Sequence, residues 1–179
     1  MTFARMPRMS DHDPIQTFAP GPGDERRLRD ALGAFATGVT VVTTRTARGP
    51  VAMTANSFAS VSLAPPLVLW SPARASRRFA AFAEADHFAI HILAADQAPL
   101  VAHFARHGGD FALPGLTETA EGVPILPGCL AVFDCARHAV HEGGDHAIVV
   151  GRVRSVRHRP GAPLVFQAGR YGGFAPDRR

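Results

Sequence analysis

The sequence predicts a mainly β domain, an antiparallel sheet that closes into a barrel and is flanked by short helices. Three observations lead there. Six or seven segments are rich in β-branched and apolar residues and are bounded by Gly, Pro, Asn or Asp. Most of these segments follow one another through short turns, without the strand–helix–strand alternation of a parallel sheet. A sheet of that size tends to close on itself. The chain has 179 residues, 46% of them hydrophobic, which suits one folded domain with a real core.

Residues 1–23 hold four prolines and two glycines with almost no apolar period, and they read as a flexible tail ahead of a domain at 24–179. DERRLRDALGAFATG starts a helix at an Asp24 N-cap, with Leu28, Leu32 and Phe35 as its apolar positions. VTVVTTRT (39–46) is a β-branched strand, ARGP a turn, and VAMTANSFASV (51–61) a second strand in a hairpin with the first. PLVLWS is a third strand after the break at APP (64–66). A loop with Pro72 precedes the short helix RRFAAFAEA, and HFAIHIL (87–93) is again a strand. DQAPLVAHFARH is a helix stopped by Gly108 and Gly109, and 110–128 is a long, partly ordered loop. CLAVFDCARHAV and HAIVVGRVRSVRH are strands joined by the turn HEGGD, and PLVFQAGRYGGF is a last strand.

Several functions are excluded or demoted. No segment approaches the ~18–20 apolar residues of a membrane span. MTFARMPRMSDHDPIQ lacks the apolar stretch of a secretory signal, so the expectation is a cytoplasmic protein. Net charge is +4, but no basic run is interleaved with aromatics, which argues against nucleic acid. RVRSVRHR (152–159) reads as a strand with one wet face, or as an attractor of a small phosphorylated anion. Cys129 and Cys135 fit neither a C-x-x-C nor a zinc spacing and read as reduced thiols. His141 and His146 in HEGGDH are five apart with two glycines between them, wrong for a metal-binding helix, and no metal site is expected. Glycine-rich nucleotide loops and a G-x-S-x-G elbow are absent.

The informative stretch is MTANSFASVSLAPPLVLWS (53–71). Taken as one extended strand, its odd positions Met53, Ala55, Ser57, Ala59, Val61 and Leu63 form a nearly apolar core face. Its even positions Ala52, Thr54, Asn56, Phe58, Ser60 and Ser62 form a neutral polar one, without the Lys, Glu or Arg of a solvent face. Small uncharged donors and acceptors suit a planar heterocycle with several carbonyls and ring nitrogens. They equally suit a covered sheet face whose hydroxyls bond backbone. The spacing leaves both readings open.

TGVTVVTT, MTANSFASVSLAPPLVL, SR at 76–77, HFAIHILAADQ, HFA at 103–105, GGDHAIVVGRV and PLVFQAGRYG together resemble the flavin reductase family. This is the FMN-binding split-barrel group that supplies reduced flavin to two-component monooxygenases. The likeness runs over roughly residues 28–174. It implies an antiparallel split β-barrel and an NAD(P)H:flavin oxidoreductase that uses FMN or FAD with NADH or NADPH. It also implies a homodimer and a monooxygenase partner reached by diffusing flavin. Exposed Phe82, Phe88 and Phe104 would be compatible with dimerisation. By the same resemblance Met53, Thr54, Ala55, Asn56 and Ser57 line the flavin ring, and Ser60 continues that wall. Ser71, Ser76 and Arg77 hold the phosphate, Phe104 packs on the flavin, and Arg170 and Tyr171 close the site. His146 contacts the nicotinamide nucleotide and is the catalytic candidate. The family often has Gly at 52 and Asp at 64, where this chain has Ala, and a smaller residue where it has Trp70. These departures suggest a tighter backbone approach at 52, a changed turn and a different pocket rim. A non-enzymatic flavin-binding protein of the same fold, or another flavin oxidase of the superfamily, is the alternative.

Overall fold

The computed structural model describes residues 15–176; part of the expected tail, 1–14, lies outside them. In chain order the elements are α1 (Glu25–Leu32), β1 (Thr37–Gly38), β2 (Thr40–Thr46), β3 (Gly49–Ala55), β4 (Ala59–Leu63), β5 (Pro66–Trp70), α2 (Phe79–Ala83), β6 (His87–Ile92), α3 (Ala98–Arg106), β7 (Thr117–Glu118), β8 (Pro124–Ile125), β9 (Ala131–Gly143), β10 (His146–His158), β11 (Leu164–Gln167) and β12 (Arg170–Gly173). Every strand pairing is antiparallel. The main sheet has seven strands in the order β3-β2-β6-β9-β10-β5-β4.

That order forces curvature. β3 and β4 are the two edges of the sheet, yet only residues 56–58 join them. Laid flat, seven strands span roughly 29 Å. From Ala55 to Ala59 the chain reaches about 14 Å at most. The sheet therefore curls until its edges approach at that end. Two apolar clusters occupy its two faces. Val42, Met53, Val68, Trp70, Phe88, Ile90, Cys135 and Val149 form one, with Phe82 of α2. Val41, Ala52, Ala89, Val132 and Phe104 of α3 belong to the other. Neighbours such as Val41 and Val42 point into opposite clusters, so β2 is covered on both faces. Hence VTVVTT is a continuous run with no polar alternation, and Thr40, Thr43 and Thr44 bury their hydroxyls on the carbonyls of Ala55, Pro124 and His87.

The structure corrects several expectations. The stretch 51–61 is two strands, broken at Asn56–Phe58, so the single odd-numbered core face does not exist. Met53 is buried, but Val61 and Leu63 lie exposed on the edge strand β4. Trp70 is fully buried against Phe82 and Phe88, not at a pocket rim. Phe82, Phe88 and Phe104 are buried too, so they offer no surface for a second copy. The loop 110–128 is pinned rather than loose. Its Val123, Ile125 and Leu126 are buried, and His91, Thr43 and Arg45 hydrogen-bond to it. The last strand is a hairpin, β11–β12, turned by Ala168 and Gly169, both at positive φ. Asp24 accepts a bond from the Gly21 N–H and does not cap α1 with its side chain. Ala64 lies in the turn between β4 and β5.

Cys129 and Cys135 are free and buried, and burial pushes their thiols up to about 11 and about 12. Neither should react with a thiol reagent at pH 8 in the native protein, and both should react in denaturant. Rapid native labelling would contradict this packing. Among the described residues no group of three or more His, Cys, Asp or Glu converges as a metal site, and no helix is long and apolar enough to cross a membrane.

Candidate active site

β3 is a sheet edge, and its outer side is treated in two ways. At Ala52 it is closed: the N–H donates to Gly108 O at 2.6 Å, and the carbonyl accepts from Arg78 Nη1 at 3.2 Å. Groups two residues apart on a strand face the same side. Thr54 therefore turns its N–H and C=O to the same outer side, where no backbone group among the described residues pairs with it. There an open cleft of about 180 Å³ is lined by Val39, Thr54, Ala55, Asn56, Val101, Phe166 and Tyr171. Its lining has neutral hydrogen-bonders and apolar side chains and no acidic group.

The polar run continues from the cleft. Ser57 Oγ accepts the Ser71 N–H at 2.9 Å and lies 3.3 Å from the Ser71 carbonyl, which carries the run onto the loop 71–78. That loop is stitched to the β9–β10 turn. Ala147 N–H donates to Pro72 O, Arg74 N–H donates to Asp145 O, and the Arg74 guanidinium reaches Glu142. At that turn His146 sits half-exposed, with Nδ1 2.8 Å from Asp145 Oδ1. A carboxylate only accepts, so Nδ1 carries the proton. The bond from His146 holds the Asp145 carboxyl below its usual range.

The expected site residues sort as follows. Thr54, Ala55, Asn56 and Tyr171 line one cleft. Met53 lies behind it in the core. Ser57, Ser71, Ser76 and His146 follow along the stitched loop, with Arg77 exposed beside Ser76. Arg170 is exposed on β12, paired with Gln167. Two residues fall elsewhere. Ser60 is on β4, paired with Val68 of β5, because the break at 56–58 turns the chain away. Phe104 is fully buried against Phe111 and leaves no ring face for a ligand. Ala52 is buried as well, and its backbone edge is already occupied by Gly108 and Arg78, so it is not a point of ligand approach.

The sequence reading missed Val39, Val101 and Phe166 in the lining, and Arg78. Phe166 was within reach: a two-residue turn at 168–169 pairs 166 with 171, and the two rings lie 5.3 Å apart. Val101 and Arg78 act through contacts between distant segments and carry no local signal.

Residues 32–175 match the family model for the Flavin reductase like domain. The chain belongs to the flavin reductase family. It is 56% identical over 158 residues to a protein of Agrobacterium fabrum named FMN reductase (NADH) SmoA, covering 88% of this chain and 91% of that one. It is 44% identical over 157 residues to HsaB of Rhodococcus jostii, named as the reductase subunit of a flavin-dependent monooxygenase, covering 87% of this chain and 80% of that one. The solved structure of the Streptomyces globisporus NADH:FAD oxidoreductase SgcE6 with NAD and FAD fragments superposes with a TM-score of 0.83 at 38% identity, covering 91% of this chain and 100% of that one. This flavin reductase family member thus shares with these relatives a fold that spans nearly all the residues described.

Proposed function

We propose that this protein is an NAD(P)H:flavin oxidoreductase that reduces FMN or FAD and releases the reduced flavin to a partner monooxygenase. The observation that carries the reading is the unpaired, uncharged edge of β3 at Thr54, continuous through Ser57 and Ser71 with the His146 turn. A flavin ring presents carbonyls and ring nitrogens, and this donor set is chemically matched to it. Relatives named as NADH-dependent flavin reductases and as monooxygenase reductase subunits support the activity and the destination of its product.

When bound, the flavin supplies the hydride acceptor and the reduced nicotinamide supplies the hydride. The chain's own residues need only place and stabilise. The Thr54 backbone and the Asn56 side chain offer hydrogen bonds to the ring edge, and Met53 backs the wall. The cleft lining carries no carboxylate, so negative charge that develops on reduction meets no repulsion there. Ser71, Ser76 and Arg77 offer donors to a phosphate, with the guanidinium as a bidentate partner. Asp145 fixes the imidazole tautomer, which leaves His146 Nε2 for the nicotinamide nucleotide. Arg170 and Tyr171 flank the far side.

The reading extends to architecture. The three-residue link between the sheet edges supports a split barrel, and the family match over 32–175 supports one domain at 24–179. The cleft is smaller than the ~300–1,000 Å³ of most small-molecule sites. Around the β1-β11-β12 sheet Leu32, Phe35, Tyr171 and Phe174 are more than half exposed. Both features support a homodimer that covers this face. Two free thiols fit a reducing, cytoplasmic setting.

The test is nicotinamide oxidation under air with FMN or FAD against NADH or NADPH. Flavin-dependent turnover with at least one pair is expected; none with any pair would overturn the reading. His146→Ala should raise KM for the nicotinamide roughly tenfold and leave flavin affinity unchanged. An unchanged KM would remove His146 from the site.

A further inference from the structure

Arg77 and Arg78 are sequence neighbours with different surroundings. Arg77 is exposed, and among the described residues its side chain makes no hydrogen bond. Arg78 is half-buried, and its guanidinium donates to three carbonyls: Phe104 O at 2.6 Å, Ala105 O at 3.1 Å and Ala52 O at 3.2 Å. The first two belong to the last turn of α3, whose carbonyls have no partner within the helix. The third belongs to the free edge of β3. Gly108 completes the seat. A Cβ there would lie 2.4 Å from Arg78 Cζ and 2.6 Å from Ala52 O, so only glycine lets the fork in.

This socket anchors a segment with few anchors of its own. α2 has five residues and no side-chain cap, and its buried Phe82 pins the helix to the core without fastening the loop ahead of it. At its other end the loop 71–78 is fastened by Ser57, Ala147 and Asp145. At this end the fastening is Arg78, whose own N–H also donates to Ser76 Oγ at 3.2 Å. Ser76 and Arg77 lie between the two anchors.

The geometry points to Arg78 as a positioning residue that sets Ser76 and Arg77 for a terminal phosphate monoester without touching it, a role that rests on the flavin reading above. Lysine cannot replace it, because an ammonium cannot reproduce a planar fork divided among three carbonyls.

The experiment compares FMN with riboflavin, the same ring without the phosphate. Wild type, Arg77→Ala, Arg78→Lys and the double variant are titrated with each, following flavin fluorescence. Circular dichroism checks the fold, and Arg78→Gln is a second variant judged by the same ratio. Wild type should prefer FMN, and Arg77→Ala should abolish that preference. Arg78→Lys should weaken FMN roughly tenfold and leave riboflavin within about twofold. Added to Arg77→Ala it should change little, as expected for two residues serving one contact. Equal weakening of both ligands, or of neither, overturns the positioning role and leaves the flavin reading standing. Equal wild-type affinity for FMN and riboflavin removes the phosphate subsite, again without touching the flavin reading. Wild type is also titrated with FAD: binding of FAD alone overturns the phosphate-monoester role and leaves the flavin reading standing, and failure to bind FMN, riboflavin and FAD alike overturns the flavin reading itself.

Discussion

Between pH 6.5 and pH 4 the folded state is expected to lose about 3 kcal/mol of stability through His91 alone. The ring is fully buried. Its Nδ1–H donates to Val41 O at 2.9 Å, and Nε2 accepts the Leu126 N–H at 3.1 Å. Both nitrogens are used, and the pattern requires the neutral ring. Burial is the main reason its pKa falls to about 4 in the folded protein; the Val41 carbonyl partly opposes this, and the charge of Arg157 adds to it. In the unfolded chain the ring titrates near the ordinary histidine value of 6.5. The unfolded state therefore binds the proton first as pH falls. Stability from the neutral ring is complete above about pH 6.5, declines through the window and is gone below about pH 4. A difference of about 2.5 between the two pKa values, at ~1.4 kcal/mol each, sets the magnitude. Urea melts of wild type and His91→Gln across this range isolate the effect from carboxylates, which titrate lower. Parallel pH slopes for the two proteins would refute it. At neutral pH, His91→Ala should cost about 3 kcal/mol, because it strands the buried Leu126 amide, leaves a cavity in place of the ring and frees the loop 110–128.

Trp70→Ala should be among the most damaging single changes, at about 3–5 kcal/mol. The ring has no exposed surface and meets Phe82 edge-on, with centroids 5.1 Å apart and planes at 86°. It belongs to the apolar cluster that also holds Phe82, Phe88 and Val149. Trp70→Phe should behave differently. Trp70 Nε1 is buried with no hydrogen-bond partner, a standing cost of about 1–3 kcal/mol. Phenylalanine removes that cost while it gives up part of the volume, so the net loss should stay below about 1.5 kcal/mol. Denaturant melts followed by far-UV circular dichroism compare the two, since Trp70 is the sole tryptophan. Equal losses for both variants would show that the indole N–H is not the burden it is taken to be.

The lengths and types of most elements were legible because they depend on local chemistry. β2, β6, β9 and β10 fall where β-branched runs end in turn residues, and α3 ends at Arg106, just ahead of the Gly108–Gly109 stop in its sequence. The break inside 51–61 was not legible. Both halves favour a strand, and the bend at Asn56–Phe58 exists because the chain must cross from one sheet edge to the other. Phe58, at that crossing, stacks on Phe133 of β9, a contact set by curvature and not by period. For the same reason Phe104 could be read as a ligand contact: an apolar side chain on a helix carries no label for which apolar surface it meets.

By itself the sequence determined that this is an antiparallel β protein, that residues 53–57 are a neutral polar segment unfit for a solvent face, and that its motifs match flavin reductases. Each depends on composition and spacing within a few residues. Tertiary structure alone decided where the edge of β3 is closed and where it is open. Gly108 and Arg78 arrive from 56 and 26 positions away from Ala52 to seal it there, and they leave Thr54 free two residues on. Which backbone groups stay unpaired depends on which distant segments reach them, and a cleft made from unpaired edge groups exists only once the whole chain has folded.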